Sequence, residues 1–200
     1  MIDRVYEIAA LKGDGIGPEV VDEALKVLEV VQQSGGPACR FETYPCGATC
    51  YLEQGDPLPA ATVEACRQAD AVLLGAMGLP HVRWPDGTEM RPQVDLRFKL
   101  DLYAGVRPIY LYSASHTPLR GLEAGDIDMI ILRENVEGLF ASMNAGIELH
   151  GEVAVDTMVI TRLGTERVVR YAFELARERG RDPMMVTCVD KANIFRSIAF

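Results

Sequence analysis

The alternation of apolar and amphipathic segments is the feature that most constrains the fold of this chain. Residues 5–11 form an apolar run typical of a buried strand, and a glycine-rich turn follows at residues 13–18. An apolar stripe with helical spacing comes next. Its members are Val20, Ala24, Val27, Leu28 and Val31. A strand, a tight turn and a helix in this order predict an α/β fold with a largely parallel sheet.

Later segments continue the same alternation. Further strands are predicted at residues 41–45, 71–75, 107–112, 127–132, 153–160 and 184–189, and further helices at 59–69, 94–103 and 164–179. In the helix at 164–179 we expect Val168, Val169, Ala172, Phe173 and Ala176 to face inward. Residues 76–92, with the single tryptophan Trp84, are predicted to form a long functional loop.

The character of the sequence changes near residue 104. We therefore predict two domains. Residues 1–103 would form the N-terminal part of a large α/β domain, and residues 104–200 would begin a second domain. The chain stops inside an apparent helix at 192–200 that has no closing cap. We expect it to be the front part of a longer protein, incomplete at the C-terminal end.

Charge and composition exclude several classes of partner. The formal net charge is -9, and no basic cluster predicts binding to nucleic acid or to an anionic membrane surface. No apolar run is long enough to cross a bilayer and no signal peptide is evident, which predicts a cytoplasmic protein. The five cysteines show no paired spacing and are expected to be free buried thiols. Metal binding by Cys46 and Cys50 is the less favoured alternative.

Three arginines lie where regular elements give way to loops: Arg97, Arg107 and Arg133. The planar guanidinium fork can hold a carboxylate through two hydrogen bonds at once. If the fold gathers these side chains, they would bind a small acid with several carboxylates. The alternative is that they are ordinary surface residues.

Two further motifs leave alternatives open. The turn at residues 13–18 reads Gly-x-Gly-x-Gly-Pro, which differs from the dinucleotide spacing Gly-x-Gly-x-x-Gly and favours a simple strand-to-helix turn. Lys191 and Asn193 follow a predicted strand. Lys191 would become a useful base if it were partly desolvated near other cations, or it is a solvated lysine at a helix start. Asp190 could be a helix N-cap.

Taken together, four motifs in this order resemble the β-decarboxylating dehydrogenases, which include isopropylmalate, isocitrate, tartrate and D-malate dehydrogenases. The motifs are LKGDGIGPEV at residues 11–20, LRFKLDLYAGVRP at 96–108, RENVEGLF at 133–140 and VDKAN at 189–193. The resemblance implies an isopropylmalate-dehydrogenase-like two-domain fold and a homodimer. It makes residues 104–200 the start of a middle domain for dimerisation and substrate binding, with residues 141–159 resembling the dimerisation arm. It also implies NAD(P)-dependent oxidation of a malate-like 2-hydroxy acid, with possible decarboxylation.

The resemblance also implies roles for individual residues. Arg97, Arg107 and Arg133 match the carboxylate clamp of the family, and Lys191 matches the lysine that handles the hydroxyl proton across a dimer interface. Asn193 would line both the substrate and the nicotinamide.

For the cofactor, the resemblance points to NAD, with NADP possible. Ile16, Gly75 and Glu89 are expected beside it together with Asn193, and Asp86 is an alternative to Glu89. Mg²⁺ or Mn²⁺ is expected, with its ligands beyond Phe200, so the sequence names no metal ligand.

Two positions depart from the family pattern. Phe140 stands where most members carry a tyrosine that protonates the enol, and a phenyl ring has no proton to give. Tyr103 or a water molecule could substitute, or the reaction could end at oxidation. Gln93 stands where isopropylmalate dehydrogenases usually present leucine, which favours a smaller or more polar acid such as tartrate or malate. A catalytically silent homologue or regulatory subunit is the alternative function.

Overall fold

The computed structural model describes residues 4–143 and 145–195. The chain divides after Leu100 into two compact units, which are described separately below. Among the described residues, no helix is both long and apolar enough to cross a membrane.

The first unit is built on a parallel three-stranded sheet. Strand β1 (Val5–Leu11) lies between β2 (Ala38–Thr43) and β3 (Ala71–Leu74). Both neighbours run parallel to β1, as the alternation of segments predicted. Four helices accompany the sheet: α1 (Gly17–Gln33), α2 (Ala48–Gln54), α3 (Ala60–Gln68) and α4 (Pro92–Lys99).

The core of this unit forms around the carboxyl half of β1. Ala9, Ala10 and Leu11 are buried because a central parallel strand is covered on both faces. Ala9 and Leu11 pack with Cys46, Leu58, Cys66 and Leu96. Since Leu96 belongs to α4, this core anchors the helix that carries Arg97.

The long loop after β3 has a small core of its own. Val82 and Met90 are buried against Ala48 of α2, and Trp84 packs on this group. The Trp84 ring meets Tyr51 edge to face, with centroids 5.2 Å apart. The loop is therefore held in place by aromatic and aliphatic packing.

Helix α1 corrects the predicted apolar stripe. The structure buries Val21, while Ala24 and Leu28 are half-buried and Val20, Val27 and Val31 are exposed. The reason is the fixed start of the helix. A Cβ at Gly75 would lie 2.8 Å from a methyl carbon of Val21, so the end of β3 determines which side of α1 faces the sheet.

The second unit contains antiparallel pairs, so the predicted parallel sheet is limited to the first unit. Strand β4 (Ala104–Tyr110) pairs with β5 (Asp128–Glu134), and β6 (Ile147–Leu149) pairs with β7 (Val153–Val155). Helix α5 (Arg162–Arg179) packs on β5. The Thr161 hydroxyl caps its first turn by accepting a bond from the Gly164 N–H at 3.0 Å.

Helix α5 also corrects part of its predicted inward face. Val168, Ala172 and Ala176 are half-buried, but Val169 is exposed and Phe173 is 62% exposed. Helical spacing alone predicts a wide buried face, whereas among the described elements the main contact of α5 is with the single strand β5.

Several boundaries also differ from prediction. The helix at 94–103 begins earlier, at Pro92, and ends at Lys99, because Asp101 adopts a left-handed turn with φ 50°. Helix α2 was not predicted. Of the extended segment 153–160, only Val153–Val155 forms a strand.

The predicted strand at 184–189 is irregular and exposed. An apolar run becomes a strand only where a partner strand accepts its hydrogen bonds, and the described residues supply none here. Within the predicted helix at 192–200, residues 192–194 form a turn, and residues 196–200 lie outside the described part of the chain.

A buried carboxylate joins three segments of the first unit. Asp14 is 2% exposed and accepts hydrogen bonds from the N–H groups of Ala48 (2.7 Å), Thr49 (2.7 Å) and Gly78 (2.8 Å). Burial by itself would raise the pKa of Asp14, but the hydrogen bonds from Thr49, Gly78 and Ala48 outweigh it and bring the pKa below its ordinary value of 3.8. Asp14 thus ties the glycine-rich turn to the start of α2 and to the long loop.

We expect Asp14→Asn to lower the free energy of unfolding by about 2–3 kcal/mol. The asparagine NH₂ group is a donor, so it cannot accept the bonds from the backbone N–H groups that it faces, and these are left buried and unsatisfied. Urea unfolding monitored by circular dichroism measures this change. Asp56→Asn is the matched control, since Asp56 is exposed and accepts one backbone bond, from Leu58. Equal losses in the two variants would contradict the proposed importance of Asp14.

The same carboxylate gives stability a pH dependence. Because the folded pKa lies below the unfolded one, the contribution of Asp14 is fully present above the unfolded pKa and is lost as pH falls through the folded pKa, below about 4. We expect Asp14→Asn to remove this acid-side loss of stability.

Candidate functional site

The carboxyl edge of the parallel sheet is formed by the turns after β1 and β3. The Asp14 N–H donates to the Ala76 carbonyl at 2.7 Å, and the Gly75 N–H donates to the Leu11 carbonyl at 2.8 Å. A Cβ at Gly13 would lie 2.0 Å from the Ala76 oxygen, and one at Gly17 would lie 2.2 Å from the Lys12 oxygen. These glycines allow close backbone packing, as expected of a simple strand-to-helix turn.

The structure places Ile16 and Gly75 at this edge. Ile16 precedes the first residue of α1 and its side chain is 67% exposed, so it presents an apolar surface beside the strand ends. A Cβ at Gly75 would lie 2.2 Å from the Lys12 oxygen, which keeps the β1 and β3 turns in contact. An aromatic ring such as nicotinamide fits an exposed apolar side chain at a strand edge.

Glu89 lies in the long loop of the same unit. It forms a bridge with Arg83, and the two side chains make an ion pair of 3.7 Å. Asp86 lies at the tip between them and accepts a bond from the Thr88 hydroxyl at 2.7 Å. Of these two carboxylates, Asp86 thus serves to shape the turn and Glu89 pairs with an arginine.

Helix α4 carries Arg97 and Gln93. Arg97 is half-buried and forms no ion pair with the described residues. The Gln93 side-chain oxygen is buried and has no hydrogen-bond partner within the described chain. Met90, three residues before Gln93, lies in the small core of the loop.

The second unit brings Arg107 and Arg133 onto one face of the β4–β5 pair. Arg133 lies opposite Gly105, and Arg107 lies opposite Ile131. Side chains two residues apart on a strand point to the same face, so Arg107 and Arg133 are diagonal neighbours. Diagonal positions are about 7–8 Å apart, within reach of two long side chains that bind one small molecule.

This face of β4–β5 is open. Asp128 and Glu134, on the other face of β5, are paired with arginines of or just after α5, whereas Arg107, Ile131 and Arg133 are exposed. Arg107 and Arg133 form no ion pair with any carboxylate of the described residues. Their N–H donors are therefore available for a ligand.

Phe140 lies over Arg133. The guanidinium carbon is 5.3 Å from the centre of the phenyl ring, which is a cation–π distance. The chain reverses between these residues because the Glu134 carboxylate accepts bonds from the N–H groups of Val136 (2.9 Å) and Glu137 (2.6 Å). Gly138 then exchanges two backbone bonds with Val159, of 2.7 and 3.1 Å.

Arg167 of α5 links the segment before β4 to the last residue of β5. It binds both carboxylate oxygens of Asp101 at 2.7 and 2.9 Å and lies 3.6 Å from Glu134. Its guanidinium also stacks on the Tyr103 ring, 4.5 Å from the centre. Arg167 therefore supports the turn before β4 and the residue after Arg133. Sequence reasoning missed it because its partners are 66 and 33 positions away.

Asn135 was part of a quoted motif but was given no role. Its side chain fills the space over Gly105, where a Cβ would lie 2.4 Å from the amide nitrogen. Asn135 is buried and its side-chain oxygen has no hydrogen-bond partner in the described part of the chain. It therefore lies over Gly105, the residue directly opposite Arg133.

Lys191 and Asn193 lie in an exposed turn. The Lys191 carbonyl accepts bonds from the N–H groups of Ile194 and Phe195, and Asp190 accepts one from Ala192 at 3.0 Å. Lys191 itself is exposed, and neither residue hydrogen-bonds to Arg107 or Arg133 in the described structure. Their assigned roles remain predictions.

No metal site is evident in the described residues, which contain no group of three His, Cys, Asp or Glu side chains able to hold an ion. Burial raises the pKa of Cys46 to about 11 and also raises the pKa of Cys50. Both are protonated thiols and poor ligands. The prediction of buried free thiols holds for Cys46, Cys50 and Cys66, whereas Cys188 is exposed.

The sequence matches the isocitrate/isopropylmalate dehydrogenase family from residue 7 to residue 200. The chain belongs to this family. The 3-isopropylmalate dehydrogenase of Thermobifida fusca is 44% identical over 198 residues, covering 97% of this chain and 54% of that protein. The 3-isopropylmalate dehydrogenase of Escherichia coli is 40% identical over 205 residues, covering 98% and 56%.

Solved structures of the family share the fold. Isocitrate dehydrogenase from Methylococcus capsulatus aligns with a TM-score of 0.79 at 34% identity, over 97% of this chain and 53% of that one. A β-decarboxylating dehydrogenase from Thermococcus kodakarensis aligns with a TM-score of 0.72 at 37% identity, over 96% and 51%. The predicted family and fold class are confirmed. The chain spans about half the length of the curated relatives it matches.

We expect Arg167→Ala to lower the free energy of unfolding by about 2–3 kcal/mol, because it leaves the half-buried Glu134 carboxylate unpaired. Arg170→Ala on the same helix is the control. Arg170 is exposed and pairs only with Glu166 one turn away, so its loss costs about 0.5 kcal/mol or less. Chemical unfolding of both variants measures the difference, and similar values would contradict the role of Arg167.

Proposed function

We propose that the protein containing this chain is an NAD(P)-dependent dehydrogenase of a malate-like 2-hydroxy acid, with Mg²⁺ or Mn²⁺ as the metal. The observation that carries the proposal is the pair Arg107 and Arg133, on one open face and without carboxylate partners in the described chain. Family membership supplies the reaction class.

The chemistry assigned to this chain is mainly binding and proton transfer. Arg107 and Arg133 hold a substrate carboxylate through their guanidinium edges, with Arg97 as the third member of the clamp. Lys191 accepts the hydroxyl proton, and Asn193 contacts substrate and nicotinamide. When bound beside Ile16 and Gly75, the cofactor supplies the hydride acceptor. The described residues offer no ligand set for the metal, so no step is assigned through it.

Two substrate types have support. The relatives named above as 3-isopropylmalate dehydrogenases favour isopropylmalate. Against that, the buried and unpartnered oxygen of Gln93 is suited to a hydroxyl donor and poorly suited to an isopropyl group. We favour a tartrate- or malate-like acid. None of the comparisons favours the silent homologue or regulatory subunit.

A homodimer is part of the proposal. The β6–β7 pair lies within residues 141–159 and exposes Ile147, Leu149, Val153 and Val155. A two-stranded pair with this much exposed apolar surface is marginal by itself and is stabilised by a partner.

We expect Arg107→Gln and Arg133→Gln each to raise KM for the preferred acid about 10- to 100-fold, because each removes a charge-assisted bond to the carboxylate. Arg120→Gln is the control, since it removes the same charge from an exposed loop position. Reduction of NAD or NADP with Mn²⁺ across D-malate, tartrate, isopropylmalate and isocitrate gives KM and identifies the substrate. No activity with any acid in the unmodified protein would contradict the proposed function.

We expect Phe140→Tyr to increase decarboxylating turnover, because the added hydroxyl can protonate the enol formed on loss of CO₂. Measuring CO₂ release alongside cofactor reduction separates decarboxylation from oxidation. An unchanged ratio of the two would mean that another group already serves as the acid.

A further inference from the structure

We propose that Phe140 is a positioning residue, whose ring holds the guanidinium of Arg133 in the orientation that binds the substrate carboxylate. The proposal rests on the proposed function only for the identity of the ligand. It gives a role to a residue that has no proton to exchange.

The first support is the contact itself. The Arg133 guanidinium carbon lies 5.3 Å from the Phe140 ring centre, within the range of a cation–π interaction. A carboxylate ligand binds through the N–H donors along the edge of the guanidinium plane, which a cation–π contact does not require. A protein carboxylate beside Arg133 would compete for the same N–H donors, and the described residues place none within ion-pair distance.

The second support is the strand register. The position directly opposite Arg133 is Gly105, which has no side chain to pack against the arginine. Gly105 cannot be enlarged without displacing Asn135, whose amide occupies that space. The residue directly opposite Arg133 therefore offers no side chain of its own, and we assign the restraint on the guanidinium to the Phe140 ring that contacts it.

The third support is the rigidity of the Phe140 backbone. The turn after β5 is fixed by the bonds from Val136 and Glu137 to the Glu134 carboxylate, and Gly138 is paired with Val159 on both its backbone groups. Gly138 has φ 74°, a conformation that L side chains rarely adopt. A short 3-10 helix, Leu139–Ser142, starts directly after it and carries Phe140.

The energetic consequence concerns preorganisation. A free exposed arginine loses rotamer freedom when it binds a ligand, and this loss weakens binding. An aromatic ring in contact with the guanidinium restricts its rotamers before the ligand binds, and so reduces this loss. Removing the ring should therefore weaken carboxylate binding by about 3- to 30-fold.

The test uses the complete natural gene product with three variants. Phe140→Leu removes the aromatic ring and keeps an apolar side chain, and Phe140→Tyr keeps the ring. Phe173→Leu is the control, because Phe173 is exposed on α5 and, within the described structure, makes no cation–π contact with Arg107 or Arg133. Phe140→Met replaces Phe140→Leu if the latter does not fold.

The first readout is the side-chain N–H resonance of Arg133, assigned by its disappearance in Arg133→Lys. We expect an upfield ring-current shift in the parent, Phe140→Tyr and Phe173→Leu, and its loss in Phe140→Leu. The second readout is KM for the acid. It should rise about 3- to 30-fold in Phe140→Leu, with a smaller change in kcat, and stay within about twofold in Phe173→Leu.

Either of two results overturns the proposal: an Arg133 resonance that is the same in Phe140→Leu as in the parent, or an unchanged KM despite the loss of the shift. The chemical shift of the Arg133 resonance tests the contact with Phe140 even if no acid is turned over. Absence of turnover with an intact ring-current shift counts against the proposed function alone.

Discussion

The first unit depends on one buried carboxylate. Asp14 satisfies backbone N–H groups from α2 and from the start of the long loop, and it can approach them because Gly47 has no side chain: a Cβ there would lie 2.3 Å from a carboxylate oxygen. Without an acceptor these donors would be buried and unsatisfied. The turn that carries Ile16, the end of β3 and the loop that carries Glu89 are therefore held relative to one another by a single ionised group.

The second unit depends on an asymmetry between the two faces of β4–β5. Helix α5 packs on β5, and Arg167 there pairs with Glu134 and Asp101. The opposite face stays open, and it carries Arg107 and Arg133. Arg167 is therefore paired with carboxylates of the protein, whereas Arg107 and Arg133 can bind an acid. Arg133 differs further because an aromatic ring lies at cation–π distance, while the described residues place no carboxylate within ion-pair distance.

Much of the first unit could be predicted because its signals are local. Strands β1 and β3 and helix α3 were predicted to within a residue or two, since each is bounded by turn residues and has its own hydrophobic pattern. The strand predicted at 184–189 from its local apolar pattern was wrong, because such a pattern does not reveal whether a partner strand exists. Helix α2 was missed because it is short and its N-terminus is satisfied by Asp14, 34 positions earlier.

The sequence by itself determined the family, because four ordered motifs specify it without any need for coordinates, and the same motifs named most of the candidate site residues. The tertiary structure alone decided which of those residues share a surface. Arg107 and Arg133 meet on one face because of the β4–β5 register, and Phe140 reaches Arg133 because of a turn held by Glu134 and Val159. Register and chain reversal arise from hydrogen bonds between distant residues, and no local pattern in the sequence encodes them.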